Sequence, residues 1–227
     1  MNVAVLGSGI VGRTLAQKIA SLGHHATIGT RDVGALMARH EKGPMGQAPF
    51  AEWHAQHDAV VVAKFAEAAA SSEFVFNATN GAGTLEALHL AGAENLNGKL
   101  LIDVSNPLDF SKGFPPTLLL VNTDSLGEQI QRSFPDVRVV KSLNTVSANV
   151  MVAPGDLADG DHHIFVGGND AVAKEEVSGL LREWFGWRNI IDLGDITTAR
   201  GTEMYLALWI RLASSIGFRP LNIRVVM

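Results

Sequence analysis

The chain has 227 residues, no cysteine and a formal net charge of -5. A chain this long can bury a core without disulfides or a metal, and the missing cysteines remove disulfide frameworks, thiolate zinc sites, iron–sulfur clusters and cysteine nucleophiles together. The acidic balance argues against nucleic acid as the partner.

Short β-branched apolar runs alternate with helical patterns from the first residues onward. Strands are predicted at Val3–Leu6, Ala26–Gly29, Val60–Ala63, Phe74–Asn77, Leu100–Val104, Val137–Ser142, His163–Val166 and Ile190–Asp192. Helices are predicted to begin near Val11, Phe65, Ala82, Ser125, Ala171 and Thr198. Leu15, Ile19 and Leu22 are spaced to share one buried face of the first helix, which Gly23 ends. Alternation of this kind predicts an α/β fold of the Rossmann type, with a doubly wound, mostly parallel sheet. Residues 1–195 are expected to form the Rossmann domain, and 196–227 a small C-terminal helical part. The segment from His40 to His57 carries Gly43-Pro44, Gly46 and Pro49 without a clear period and reads as a surface loop with one short helix. Met1 leads straight into an apolar strand with no cationic n-region, so no signal peptide is expected and the protein reads as cytoplasmic. The stretch Met204–Ile210 is far shorter than the roughly 20 apolar residues a membrane span needs, so no membrane partner is expected.

The first strand runs into Gly7-Ser8-Gly9-Ile10-Val11-Gly12, a G-x-G-x-x-G turn between strand and helix. Gly7 allows the tight turn, Gly9 lets backbone approach a pyrophosphate, and Gly12 lets the helix pack on the strand. The anion is then expected at the helix N-terminus. An NAD site usually places Asp or Glu at the tip of the second strand. Here that tip reads Gly29-Thr30-Arg31, and a hydroxyl followed by a guanidinium suits the 2′-phosphate of NADP. Asp32 lies past the tip and is expected to cap the next short helix.

The carboxyl ends of the later strands bring Thr79 and Asn80, Ser105 and Asn106, and Asn144 and Thr145 towards the nicotinamide side of the cleft. They show no Ser–His–Asp set and no paired carboxylates, and Lys141 reads as a structural strand-end lysine. Carbonyl or imine reduction normally uses a placed general acid. Hydride transfer between two cofactor rings needs mainly stacking and orientation. The inventory therefore favours ring-to-ring transfer, positioned by Asn144 and Thr145, with no essential catalytic side chain. His24-His25 and His162-His163 are adjacent pairs without zinc-site spacing, so no metal is expected. Arg200 and Glu203, three apart, read as a helix-surface ion pair. Met204, Leu206, Leu208, Trp209 and Leu212 read as packing surface.

The Gly7–Gly12 turn, Leu22-Gly23-His24, Gly29-Thr30-Arg31, Ser105-Asn106-Pro107, Lys141-Ser142-Leu143-Asn144-Thr145 and Arg200-Gly201-Thr202-Glu203-Met204-Tyr205 together resemble the NADPH:coenzyme F420 oxidoreductase family. The reductase domain of the STEAP metalloreductases is similar to that family. The resemblance implies hydride transfer between NADPH and a deazaflavin (coenzyme F420) or a flavin, a Rossmann core with a small helical part, and a homodimer. The archaeal deazaflavin enzymes carry a histidine in the stretch matched by Leu143-Asn144-Thr145. Asn144 here is closer to the STEAP-like pattern. Two alternatives stand beside this reading: a redox sensor that binds NADP(H) without turnover, and a small carbonyl or imine reductase.

Overall fold

Strand and helix alternate along the chain as the patterning dictates. In a computed structural model, residues 1–43 and 46–226 are described. The Pro44 half of the Gly43-Pro44 turn signal lies outside those residues. Strands β1 (Asn2–Leu6), β2 (His25–Thr30), β3 (Val61–Lys64), β4 (Phe74–Asn77), β5 (Leu100–Asp103), β8 (Arg138–Ser142), β9 (His163–Gly167) and β10 (Asn189–Asp192) form one sheet in the order β10-β9-β8-β5-β4-β1-β2-β3. Two short strands, β6 (Leu108–Asp109) and β7 (Thr117–Leu118), pair antiparallel as a separate hairpin. The strands from β3 across to β8 are parallel, whereas β9 runs antiparallel to β8 and β10 follows β9. The order therefore reverses direction at β1 and β4, the switch point where dinucleotides bind in such sheets.

Alternate residues of the strands feed two cores. Val3, Val5, Phe74, Phe76 and Ile102 pack on one face with α1 (Ile10–Ser21), α2 (Val33–Met37), α3 (Phe50–His54), α8 (Ala148–Val152) and α9 (Ala171–Leu180). Ala4, Leu6, Val75, Leu101 and Val139 pack on the other with α4 (Phe65–Ser71), α5 (Thr84–Ala91), α6 (Ala93–Leu96) and α7 (Leu126–Ser133). Burial on both faces explains why these strands read as continuous apolar runs. Each fully buried Leu or Ile contributes about 1.5–3 kcal/mol. Helix α10 (Ala199–Ser215) closes the chain against α7 and the β6–β7 hairpin.

All eight predicted strands of the main sheet are present, with ends shifted by a residue or so. The β6–β7 hairpin, α6 and α8 were not expected. Leu22 does not share the buried face of α1: the helix closes at Ser21 and Leu22 is 39% exposed, while Ala16 fills the core beside Leu15 and Ile19. Gly23 takes the left-handed conformation just beyond (φ +83). Of the α10 residues expected to pack, Leu206 is buried, but Leu208 and Leu212 are exposed because they fall on the outer side of the helix. No helix among the described residues is long and apolar enough to cross a membrane.

Candidate functional site

The carboxyl edge of the sheet gathers the turn after β1 and the loops after β2, β4, β5 and β8. Gly7 adopts φ +117, and a Cβ there would run into the carbonyl of Ala78 at the end of β4. A Cβ on Gly12 would run into the carbonyl of Gly7. These two glycines are thus required by the protein's own packing. Gly9 is different: a Cβ there would meet nothing within 4 Å. It opens α1 with no side chain capping it and with no acidic residue in the first turn. The first-turn N–H groups, which have no partner inside the helix, therefore face the open space beside Gly9. Ser8, Ile10 and Val11 complete the turn around this open space.

Arg13 braces the turn from behind. Its Nε donates to the Ser8 carbonyl (3.0 Å) and its Nη1 to the Ala48 carbonyl (2.7 Å). The guanidinium lies 5.0 Å from the Phe50 ring centre and 5.7 Å from that of Trp53. Burial lowers its pKa from the usual arginine value. The His40–His57 segment thus contributes α3 as the short helix expected there, and its aromatic residues pack on the arginine that braces the Gly7–Gly12 turn. No spacing rule pointed to Arg13.

Thr30 is buried at the tip of β2, and Asp32 caps α2 by accepting from Ala35 N (2.9 Å), as expected. Arg31 reaches across the cleft mouth to Glu86 on α5, 3.1 Å away, with both side chains largely exposed. Thr79 and Asn80 follow β4. The Thr79 hydroxyl donates to Asn77 Oδ1 (2.7 Å) and meets the Thr84 hydroxyl (2.8 Å). Asn80 Oδ1 accepts from Ala82 N (3.1 Å). The Ser105 hydroxyl turns inward to Asp103 Oδ1 (2.6 Å). Asn106 and Asn144 clasp one another: Asn106 Nδ2 donates to the Asn144 carbonyl (2.8 Å), and Asn144 Nδ2 to Asn106 Oδ1 (3.0 Å). Leu143, just before, is fully buried with φ +62. That left-handed turn costs a bulky residue on the order of 1–3 kcal/mol and is the kind of strain held at functional sites. It brings Asn144 and Thr145 back over the end of β8. Thr145 Oγ1 is buried and has no hydrogen-bond partner among the described residues.

These loops rest on a buried ionic network. Lys141, 2% exposed, donates from Nζ to Asp103 Oδ2 (2.8 Å), Glu203 Oε1 (2.7 Å) and the Ser105 carbonyl (2.6 Å). Burial alone would lower the lysine pKa, but the two carboxylates outweigh it and raise the value. Lys141 is thus an ion-pair partner inside the fold. Two carboxylates do converge near the strand ends, against the expectation, because Glu203 reaches them from α10, far away in sequence. Nor is Glu203 part of a surface pair with Arg200. It is 1% exposed and accepts from the N–H groups of Leu126 (2.8 Å) and Gly127 (3.0 Å), while Arg200 Nε donates to Glu128 Oε2 (2.8 Å).

A solved structure from Arthrobacter sp. FB24, of a protein assigned as an F420 dependent NADP-reductase, is 56% identical to this chain, covers 100% of both and superposes with a TM-score of 0.93. The chain belongs to the F420-dependent NADP reductase family. Residues 2–107 match the family model described as NADP oxidoreductase, coenzyme F420-dependent. The F420-dependent NADP reductase of Methanocaldococcus jannaschii is 32% identical over 133 residues, 58% of each chain. Metalloreductase STEAP3 of Rattus norvegicus is 29% identical over 202 residues, 89% of this chain but 36% of that protein. The chain thus spans about a third of the length of the curated metalloreductases it matches. A reductive aminase from Aspergillus terreus, 16% identical with a TM-score of 0.62 over 95% of this chain and 62% of its own, shares the fold alone.

Within this family setting the residues fit a dinucleotide. The free volume at Gly9 sits at an uncapped helix end, and the orphaned Thr145 hydroxyl lies in the loop after β8. Beside the β4 and β5 loops a hollow of ≈ 150 Å³ is lined by Gly81, Leu85, Pro107, Leu120 and Leu126. That is smaller than the roughly 300 Å³ at which small-molecule pockets begin. Among the described residues no three His, Asp or Glu side chains converge as metal ligands. His162 instead bonds the Pro154 carbonyl (3.0 Å), and His24 packs on Trp184 with ring centres 4.4 Å apart.

Proposed function

We propose that the chain is an oxidoreductase that moves a hydride between NADP(H) and the deazaflavin ring of coenzyme F420. The observation that carries this reading is the full-length likeness to the Arthrobacter protein, joined to a phosphate turn whose central glycine opens onto free space. Gly7, Ser8, Gly9, Ile10, Val11 and Gly12 would hold the pyrophosphate at the end of α1. Thr30 and Arg31 would take the 2′-phosphate, with Arg31 leaving Glu86 to do so. Thr79, Asn80, Ser105, Asn106 and Asn144 would shape the floor under the nicotinamide through backbone and side-chain contacts, and Thr145 would offer its unpaired hydroxyl to the ring's polar edge. The nicotinamide supplies hydride chemistry when bound. The protein's share is to bind, orient and exclude water.

On this reading no side chain is needed to transfer a proton. Lys141 is enclosed by two carboxylates and a carbonyl, and the hydroxyls and amides at the strand ends position rather than titrate. We take residues 1–195 as the NADP-binding unit, 196–227 as the appended helical part, and the assembly as a homodimer acting in the cytoplasm. A flavin acceptor is the second reading, supported by Asn144 standing where the resemblance places histidine and by the likeness to STEAP3. The test is NADPH oxidation with coenzyme F420, FMN, FAD and riboflavin supplied separately. Turnover fastest with the deazaflavin supports the proposal. Tight NADPH binding without turnover on any acceptor supports a sensor instead.

A further inference from the structure

Removing a hydride from NADPH converts a neutral dihydropyridine into a pyridinium cation. A fixed charge near that ring therefore weights the two redox states differently. Directly beneath the loops of Ser105, Asn106 and Asn144 lies the buried cluster of Lys141, Asp103 and Glu203, and its hydrogen bonds define its charge. Lys141 uses all three donors of an ammonium group, on Asp103, Glu203 and the Ser105 carbonyl. Glu203 accepts from Lys141 and from the N–H groups of Leu126 and Gly127. Asp103 accepts from Lys141, Asn77 Nδ2 and Ser105 N. Every one of these contacts comes from a donor, so both side chains act only as acceptors. Two carboxylates against one ammonium leave one net negative charge in a place screened from water. The neighbouring ion pairs, Arg200 with Glu128 and Arg132 with Asp124, are each neutral. The N-terminus of α7 offsets only about half a charge.

We propose that this buried anionic cluster sets the redox preference of the bound nicotinamide, holding NADP+ more tightly than NADPH and so favouring hydride donation from NADPH. The proposal rests on the NADP(H) reading of the site. Asp103 and Glu203 would be positioning residues in an electrostatic sense, held by protein contacts and acting on the nicotinamide through the field they impose. For a unit charge acting over an assumed separation of about 10 Å and an effective dielectric of about 20–40, the preference would be roughly 4- to 17-fold.

The test is a pair of equilibrium titrations of the whole protein, one with NADP+ and one with NADPH. Wild type should bind NADP+ more tightly by about that factor. Glu203→Gln keeps the side-chain shape and cancels the net charge, so it should bring the two affinities close to equal, mainly by weakening NADP+. Asp103→Asn should do the same from the other carboxylate. Loss of packing alone would weaken both forms together and leave the ratio unchanged. Wild type binding NADPH as tightly as NADP+, or more tightly, overturns the proposal without any variant having to fold. So does an unchanged ratio in either folded variant. Wild type that binds neither form defeats the NADP(H) reading instead.

Discussion

Replacing Lys141 by Met removes the cation that Asp103, Glu203 and the Ser105 carbonyl share at 2.6–2.8 Å. Two carboxylates then remain buried without a counter-charge. Breaking a buried ion pair from one side costs about 3–5 kcal/mol, because the stranded charge has no solvent to turn to. Against a total stability of about 5–15 kcal/mol, that is a large share. In a protein of this size each kcal/mol moves the melting temperature by about 2–4 °C, so the variant should melt about 6–20 °C below wild type. The wild-type lysine pKa is raised in the fold, so its contribution is complete below the unfolded value of about 10.4 and is lost as pH climbs through the higher folded value. The gap between wild type and variant should accordingly be constant near neutrality and narrow only above about pH 10. Urea and thermal melts at several pH values measure both effects. A loss below about 1 kcal/mol would refute the reasoning, since it would mean that water or a relaxed backbone replaces the ammonium. Lost turnover in this variant reports on proton chemistry only after the folded fraction has been measured.

Gly9→Val should leave the melting temperature nearly unchanged, because no protein atom lies within 4 Å of the new Cβ, while NADPH affinity falls below detection in a titration. Near-wild-type affinity would remove the pyrophosphate from this turn. Arg31→Ala should weaken NADPH by about 1.5–3 kcal/mol, the range for a charge-assisted contact, and NADH hardly at all. Loss of its exposed bridge to Glu86 should cost under about 1 kcal/mol of stability. Equal losses for the two cofactors would show that Arg31 does not read the 2′-phosphate. Thr145→Val removes a buried hydroxyl that has no partner among the described residues, so stability should hold or rise slightly while turnover falls. Unchanged kinetics would show that the hydroxyl meets neither ring.

The parallel sheet was legible because strands buried on both faces write themselves as apolar runs, and the glycine turn because its G-x-G-x-x-G spacing falls between strand and helix, with Gly7 and Gly12 demanded by contacts and Gly9 left open. Asp32 as a helix cap followed from its place just past a strand tip. The ionic floor of the site was not legible. Asp103, Lys141 and Glu203 are spread over 100 residues and meet only through the sheet and the return of α10, and no local pattern encodes that meeting. Arg13 carries no local signal because its partners, Ser8 and the Ala48–Trp53 segment, lie on either side of it in sequence and are joined by a loop without period. The short β6–β7 hairpin, with two residues in each strand, is too brief for alternation to show. Leu22 escapes the face that helical spacing predicts because α1 ends one residue before it.

The most direct test of the central claim is a single turnover with NADPH deuterated at the transferring position of the nicotinamide, in light water, with coenzyme F420 as acceptor. Direct ring-to-ring transfer predicts that the reduced deazaflavin carries the deuterium. A reduced deazaflavin that carries only solvent hydrogen would contradict the account.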